Sequence, residues 1–473
     1  MPRRSRIVIA WAFAALLAPA VRAEAPARPN IVVVMPDDIG YGDFSCHGSP
    51  VVKTPRVDAF AREALRFTSF HVSPTCAPTR AALLTGRHEF KSGVTHTIDE
   101  RERLALSAFT FAQALKANGY ATGIFGKWHL GDQAEYQPER RGFDETFVHG
   151  AGGIGQTYPG SCGDAPGNTY FDPAIRHNGT FEKTKGYCTD VFFDRALAWM
   201  DGRRKAGGPF FAYITPNAAH TPLQCPDDYA KRHAGEVPED VAKFYGMIEN
   251  IDEDFGRLLD ALKSWGIEDD TLVVFLTDNG GTLGVKTFNA GMRGQKVTPY
   301  EGGTRVPSFW RWPAAIRGDR DVSALAAHVD VFPTLIDALG LRVDAPAREQ
   351  VEGRSLAPFF RADSVEWPRR TLVTHVGRWP RGKRDEFKFK GVSIRDDRFA
   401  LVNDSELYDL QADPGQATNV IDAHPDVVAR LRAEYEAWWK AMLPGLVNED
   451  AVGPKVNPYK EWYWRQFGGG PDA

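Results

Sequence analysis

Two short apolar runs constrain this 473-residue chain more than any other feature. Ile31-Val-Val-Val34-Met35 and Thr271-Leu-Val-Val-Phe-Leu276 lack the polar alternation of a half-exposed strand. Continuous runs of this kind fit strands buried on both faces, as in a parallel sheet covered by helices on either side. Both runs also end alike. Asp37 and Asp38 follow the first across Pro36, and Asp278 and Asn279 follow the second across Thr277. Open α/β sheets hold their ligands beyond the carboxyl ends of parallel strands. Carboxylates buried there are costly unless a cation or donors satisfy them. The two strand ends are therefore expected to converge on one hard cation. Oxygen donors without His or Cys favour Ca²⁺ or Mg²⁺, and four protein oxygens plus substrate oxygens suit the looser Ca²⁺ shell.

Further strand ends carry polar groups. The run 121–125 leads into Gly126-Lys127-Trp128-His129-Leu130-Gly131, and 210–214 is followed closely by His220. Lys127 and His129, two apart, face the same way on extended backbone. Between the strands, 104–118 reads as a helix closed by Gly119, and Thr54-Pro55 as the cap of another reaching about Leu65. The 241–262 stretch reads as an amphipathic helix with its carboxylates in solvent. The Gly-, Asn- and Pro-rich stretch 150–186 reads as a lid or binding loop. From about Trp367 the pattern shifts to short strands and a helix with Val427, Leu431, Tyr435, Trp438 and Met442 on one face. That predicts a small antiparallel sheet with a docked helix. The aromatic tail 457–464 is expected to dock on the core rather than line a carbohydrate site.

The chemistry centres on Ser73-Pro-Thr-Cys76-Ala-Pro78-Thr-Arg80-Ala-Ala-Leu-Leu-Thr-Gly86-Arg87. Pro78 suits a first helical position, the following Ala and Leu residues are good helix formers, and Gly86 marks an end. Cys76 then sits at a helix N-terminus, where free N–H groups and the dipole favour an anion. Arg80, about one turn on, can reach the same place.

This stretch resembles the Cys-x-Pro-x-Arg signature of the type I sulfatases, in which the Cys is oxidised to Cα-formylglycine. Pro36-Asp37-Asp38 with Gly40-Tyr41-Gly42-Asp43, the Gly126–Gly131 segment, and Gly294-Gln-Lys296 with 300–307 are similar to further motifs of that family, in its order. The resemblance implies an alkaline-phosphatase-like α/β sandwich: a large mixed, mostly parallel sheet flanked by helices, plus a small C-terminal antiparallel sheet with a helix. Expected boundaries are a signal peptide at 1–23, a catalytic domain at 24–365 and a C-terminal α+β subdomain at 366–473.

The implied activity is hydrolysis of a sulfate monoester, of a carbohydrate in preference to an aryl alcohol, through a formylglycine-sulfate intermediate. One Ca²⁺ would be held by Asp37, Asp38, Asp278, Asn279 and the formylglycine derived from Cys76. Lys127, Lys296 and Arg80 would offset charge on the sulfate. His220, or alternatively Lys296, would protonate the leaving oxygen, and His129 would deprotonate the second hydroxyl of the formylglycine hydrate. Arg305 is read as a loop brace. A formylglycine-generating or sulfatase-maturing enzyme is the implied partner. Two rival readings are a phosphonate monoester or phosphodiester hydrolase of the same superfamily and a non-catalytic glycan-binding protein with unconverted Cys76.

A net charge of −4 offers no global basic field for nucleic acid. Arg3, Arg4 and Arg6 before the apolar stretch 7–21, with Val21-Arg22-Ala23 beyond it, read as a cleaved export signal to the periplasm or outside. The stretch is short for a stable membrane span. Export permits disulfides among Cys46, Cys162, Cys188 and Cys225, and the Cys162–Cys188 pair is favoured.

Overall fold

The strand Asn30–Val34 lies inside a ten-stranded mixed sheet, between two parallel neighbours. Phe210–Thr215 pairs on one side and Thr271–Leu276 on the other, so that Val33 is opposite both Tyr213 and Val274. Ala121–Lys127 and Glu145–His149 extend the parallel centre. The hairpin Ala174–His177 and Thr180–Lys183 closes one edge, and Ser308–Arg311, Leu65–Phe67 and Arg320–Val322 the other. This computed structural model describes residues 28–362 and 364–471, so the expected signal peptide lies outside the described residues.

Both faces of the central strands are covered, which accounts for their unbroken apolar composition. Ile31 and Val33 pack with Leu83 of helix Cys76–Thr85, Phe111 of Phe111–Ala117 and Phe332 of Val331–Leu339. Val32 and Val34 face Phe60 of Pro55–Glu63, Phe192 of Cys188–Ala206 and Phe255 of Glu239–Ser264. Full burial of each such side chain stabilises the fold by about 1.5–3 kcal/mol. The smaller sheet orders Leu372–His375, Val392–Arg395, Phe399–Val402 and Glu406–Asp409 antiparallel. Helix Pro425–Met442 docks Leu431, Tyr435 and Met442 on it, with Val428 and Trp439 in the buried places expected for Val427 and Trp438.

Several local expectations are corrected. The 104–118 stretch is helical only over Phe111–Ala117, because Thr110 and Gln113 form a reciprocal capping box that starts the helix late. Thr54 does not cap its helix with its side chain. Asp252 does so instead, accepting from the Val57 and Arg56 amides at 2.7 and 3.1 Å. Asp252, Asp254 and Glu249 are buried, and of the helix's carboxylates over 241–262 only Glu253 and Asp260 are solvated as expected. The 150–186 stretch contains the edge hairpin. Among the described residues all five cysteines are free, which overturns the expected Cys162–Cys188 disulfide. Cys162 turns to the Thr97 carbonyl at 2.8 Å, while Cys188 opens helix Cys188–Ala206 and packs in the core with Phe192 and Phe193.

Candidate active site

Three strand-end loops are tied together through backbone amides. The Asp37 amide donates to Ala218 O at 3.0 Å, and the Ala219 amide to Asp37 O at 2.8 Å. The Asp38 amide donates to Asp278 Oδ1 at 3.2 Å, linking the two apolar runs where each turns polar. Gly126 permits the neighbouring loop to approach, since a Cβ there would lie 2.1 Å from Thr215 O. Lys127 follows directly and reaches the Asp37 carboxylate.

Cys76 is the first residue of a fully buried ten-residue helix. Pro78 stands third in that helix, not first as expected, because helical backbone begins after Thr75. Gly86 ends it in left-handed conformation, φ 68°. Asp37, Cys76 and Asp278 bring one ligand atom each within 4.8 Å of one another. Arg80, one turn on, donates to Asp278 Oδ2 at 2.8 Å and to Lys127 O at 3.1 Å. Lys296 contacts both oxygens of Asp38, at 2.5 and 2.7 Å, and Asn279 Nδ2 donates to Asp38 Oδ1 at 3.0 Å. All the expected nucleophile, metal and sulfate-facing positions thus meet in one place.

The donor chemistry fits a hard cation. Asp37 Oδ1 and Asn279 Oδ1 are buried without a hydrogen-bond partner among the described residues. Such oxygens are costly unless a further ligand satisfies them. Burial, reinforced by Asp278, pushes the Asp37 carboxyl well up. Burial acts the same way on Asp38, but Lys296, His220 and Lys127 outweigh it and hold that carboxyl well below its usual range. Burial also opposes ionisation of Cys76, yet Lys127 and Lys296 lower its pKa overall.

His129 stands over Cys76 with Nδ1 3.4 Å from the sulfur. Its Nε2 is 2.8 Å from Thr97 O, which can only accept, so Nε2 carries the proton and Nδ1 is a bare acceptor. Burial and Lys127 push its pKa well down, keeping the ring neutral. Asp38 and His129 both hold left-handed backbone, φ 63° and 58°, which is costly for residues with side chains. His220 places Nε2 3.8 Å from Asp38, and burial lowers its pKa to about 4. Arg305 donates to Thr68 O at 2.7 Å and stacks over Tyr41, away from the carboxylates.

Cys76, His129, His220 and Lys296 line a cavity of about 280 Å³. Its wall includes Gln156, Tyr158 and Cys162 of the expected lid, together with Thr97 and Arg378, which sequence reasoning did not single out. Arg378 donates to Thr97 Oγ1 at 2.9 Å. Neither residue belongs to a motif or a periodic face, so only the tertiary contact reveals them.

The family model for sulfatases matches residues 29–341. The chain belongs to the sulfatase family. A second model, for the C-terminal region of N-sulphoglucosamine sulphohydrolase, matches residues 295–439 of the chain. Mouse arylsulfatase J is 31% identical over 325 residues, which are 67% of this chain and 53% of that protein. Canine N-acetylgalactosamine-6-sulfatase is 31% identical over 359 residues, 71% of this chain and 66% of its own length. The match therefore spans about half to two thirds of these relatives. The crystal structure of Ps i-CgsB in complex with k-i-k-neocarrahexaose superimposes with a TM-score of 0.77 at 26% identity, covering 93% of this chain and 97% of that one. The chain thus has the expected alkaline-phosphatase-like α/β sandwich with its small antiparallel sheet and helix.

Proposed function

We propose that this protein hydrolyses sulfate monoesters of a carbohydrate chain to the alcohol and inorganic sulfate. The observation that carries the reading is the meeting of Cys76 with Asp37 and Asp278 beneath Lys127, Arg80 and Lys296. The named relatives and the oligosaccharide in the similar crystal structure support a sulfated sugar as substrate. Conversion of Cys76 to formylglycine by a maturing enzyme would supply a hydrated aldehyde, one hydroxyl of which takes up sulfate as a formylglycine-sulfate. A Ca²⁺ ion bound by Asp37, Asp38, Asp278, Asn279 and that residue would supply polarisation of the sulfate.

The chain's own residues do the rest. Lys127 and Lys296 offset charge on the sulfuryl oxygens. Arg80, bonded to Asp278 and to the Lys127 carbonyl, adds positive charge and fixes both groups. His220, which lines the cavity, protonates the departing oxygen from Nε2 in its imidazolium form, with Lys296 as the alternative donor. His129, neutral with Nδ1 free, removes the proton of the second hydroxyl so that sulfate is expelled and the aldehyde returns. The N-terminal stretch read from the sequence as an export signal supports a reaction in the periplasm or outside the cell. Among the described residues no helix is long and apolar enough to cross a membrane.

The test is sulfate release by the matured protein across a panel of sulfated glycans, run beside a phosphodiester and a phosphonate monoester. Faster turnover of a sulfated glycan is expected. Preference for the phosphorus esters would overturn the reading in favour of the first rival, and glycan binding without turnover would favour the second.

A further inference from the structure

We propose that a cleft between the lid and the C-terminal helix binds the continuing chain of an anionic glycan while its sulfated residue occupies the catalytic cavity. This deepens the sulfatase reading and rests on it. The cleft holds about 500 Å³ and is lined by Tyr158 and Pro159 on one side and by Lys455, Lys460 and Trp464 on the other. Tyr158 also lines the catalytic cavity, so the two spaces adjoin at that ring.

The helix Pro458–Phe467 divides its side chains between two tasks. Tyr459, Trp462 and Tyr463 pack on the edge hairpin around Phe181, and Gln466 bonds both backbone groups of Phe181 at 2.7 Å. This is the core docking expected for the aromatic tail. Lys460 and Trp464, one turn apart, fall on another side of the same helix and face the cleft. The wall is fixed rather than loosely apposed. Tyr459 is fully buried with its hydroxyl 3.1 Å from Gln137 Oε1, and Asn457 Nδ2 donates to Asp132 Oδ2 at 2.7 Å. Gly163 of the lid closes against this wall, since a Cβ there would lie 1.7 Å from Asn457 Oδ1.

The composition of the cleft selects the occupant. Among the described residues no acidic side chain lines it and neither Lys455 nor Lys460 forms an ion pair, in a chain whose net charge is −4. Two ammonium groups beside aromatic rings match the sulfates and the apolar ring faces of a sulfated sugar. A neutral glycan would leave the lysines unused, and an apolar partner would have to desolvate them.

The experiment compares sulfated disaccharides with hexasaccharides of the same glycan, using wild type, Lys455→Glu and Trp464→Ala. Lys455 is exposed, so its substitution leaves folding intact, and melting curves control for Trp464. Wild type should show kcat/KM about tenfold higher on the hexasaccharide, and each variant should lose most of that advantage while keeping its disaccharide rate within about twofold. Absence of a length effect in wild type, or an equal loss on both lengths, would overturn the cleft while leaving sulfate hydrolysis standing. If no sulfate is released from either length, the hydrolase reading fails by itself. Retention of hexasaccharide that Lys455→Glu abolishes would then still support the cleft, and absent or unchanged retention would overturn it.

Discussion

His129 meets Cys76 through Nδ1, 3.4 Å from the sulfur, because the Thr97 carbonyl 2.8 Å from Nε2 holds the ring proton on the far side. A base is thereby aimed at the residue that would carry the sulfate, and burial with Lys127 keeps it unprotonated. The same position is poor for protonating a leaving group, since the near nitrogen has no proton to give. The geometry thus fits His129 to take a proton and not to give one. His220 also turns Nδ1 to a carbonyl, Thr221 O at 2.7 Å, so only its imidazolium form can donate from Nε2, and Lys296 is the other donor at hand.

His129→Ala should still cleave the first substrate molecule and then stall. The expected record is a burst of alcohol near one per active site, steady turnover lowered about 10²–10⁴-fold, and added sulfate mass on the Cys76 peptide. His220→Ala should slow the burst itself, most for poor leaving groups. Rapid-quench kinetics with peptide mass analysis separates the cases. If His129→Ala shows neither burst nor trapped sulfate, the elimination role passes to Lys127 or water.

Cys76 is 2% exposed and lies in a helix in which every residue is buried. A maturing enzyme cannot grip the flanking Pro78 and Arg80 without unfolding this segment. Co-expression with a formylglycine-generating enzyme should therefore give an aldehyde reactive toward hydrazide probes. Adding that enzyme to folded, unconverted protein should give little. Equal conversion of folded and nascent chains would show that the helix opens readily.

The orphaned oxygens of Asp37 and Asn279 make the cation testable without activity. Chelation should abolish turnover and lower the melting temperature by several degrees, since Asp37, Asp38 and Asp278 then crowd one buried site. Ca²⁺ should restore both better than Zn²⁺, because the donors are oxygens. Unchanged melting and activity with the metal shown to be gone would refute the assignment.

Much of this site was legible in the chain because its determinants are local. Ile31 to Val34 announce a two-face-buried strand, and Asp37 and Asp38 occur at once after it. What escaped was set by contacts distant in sequence. Thr97 matters through its carbonyl, which no side-chain pattern reports, and Cys162, 33 residues further along the chain than His129, reaches its ring only through the path of the 150–186 loop. Asp252 fitted the polar side of an amphipathic pattern, yet it caps a helix that begins near residue 55 and is buried by doing so. Periodicity records which side chains are polar. It does not record whether a distant backbone amide will claim them.

Glu102 provides a test of the buried charge around the lid. It is 1% exposed, and neither carboxylate oxygen has a partner beyond its own backbone among the described residues. Burial raises its pKa to about 8, with Asp132 and Glu100 adding to the shift and Arg103 opposing it. The unfolded chain releases this proton near 4.5. Between those values the native state binds more protons than the unfolded one, so stability falls as pH rises through the window and levels off above it. Glu102→Gln keeps the shape and removes the charge. Its melting temperature should exceed wild type by about 3–6 °C at pH 8, with the difference fading toward pH 5. Asp132 and Cys162 remain in the variant, so any pH dependence they contribute cancels to first order. A difference of equal size at both pH values would mean that Glu102 is stabilised as the anion, by contacts other than those described here.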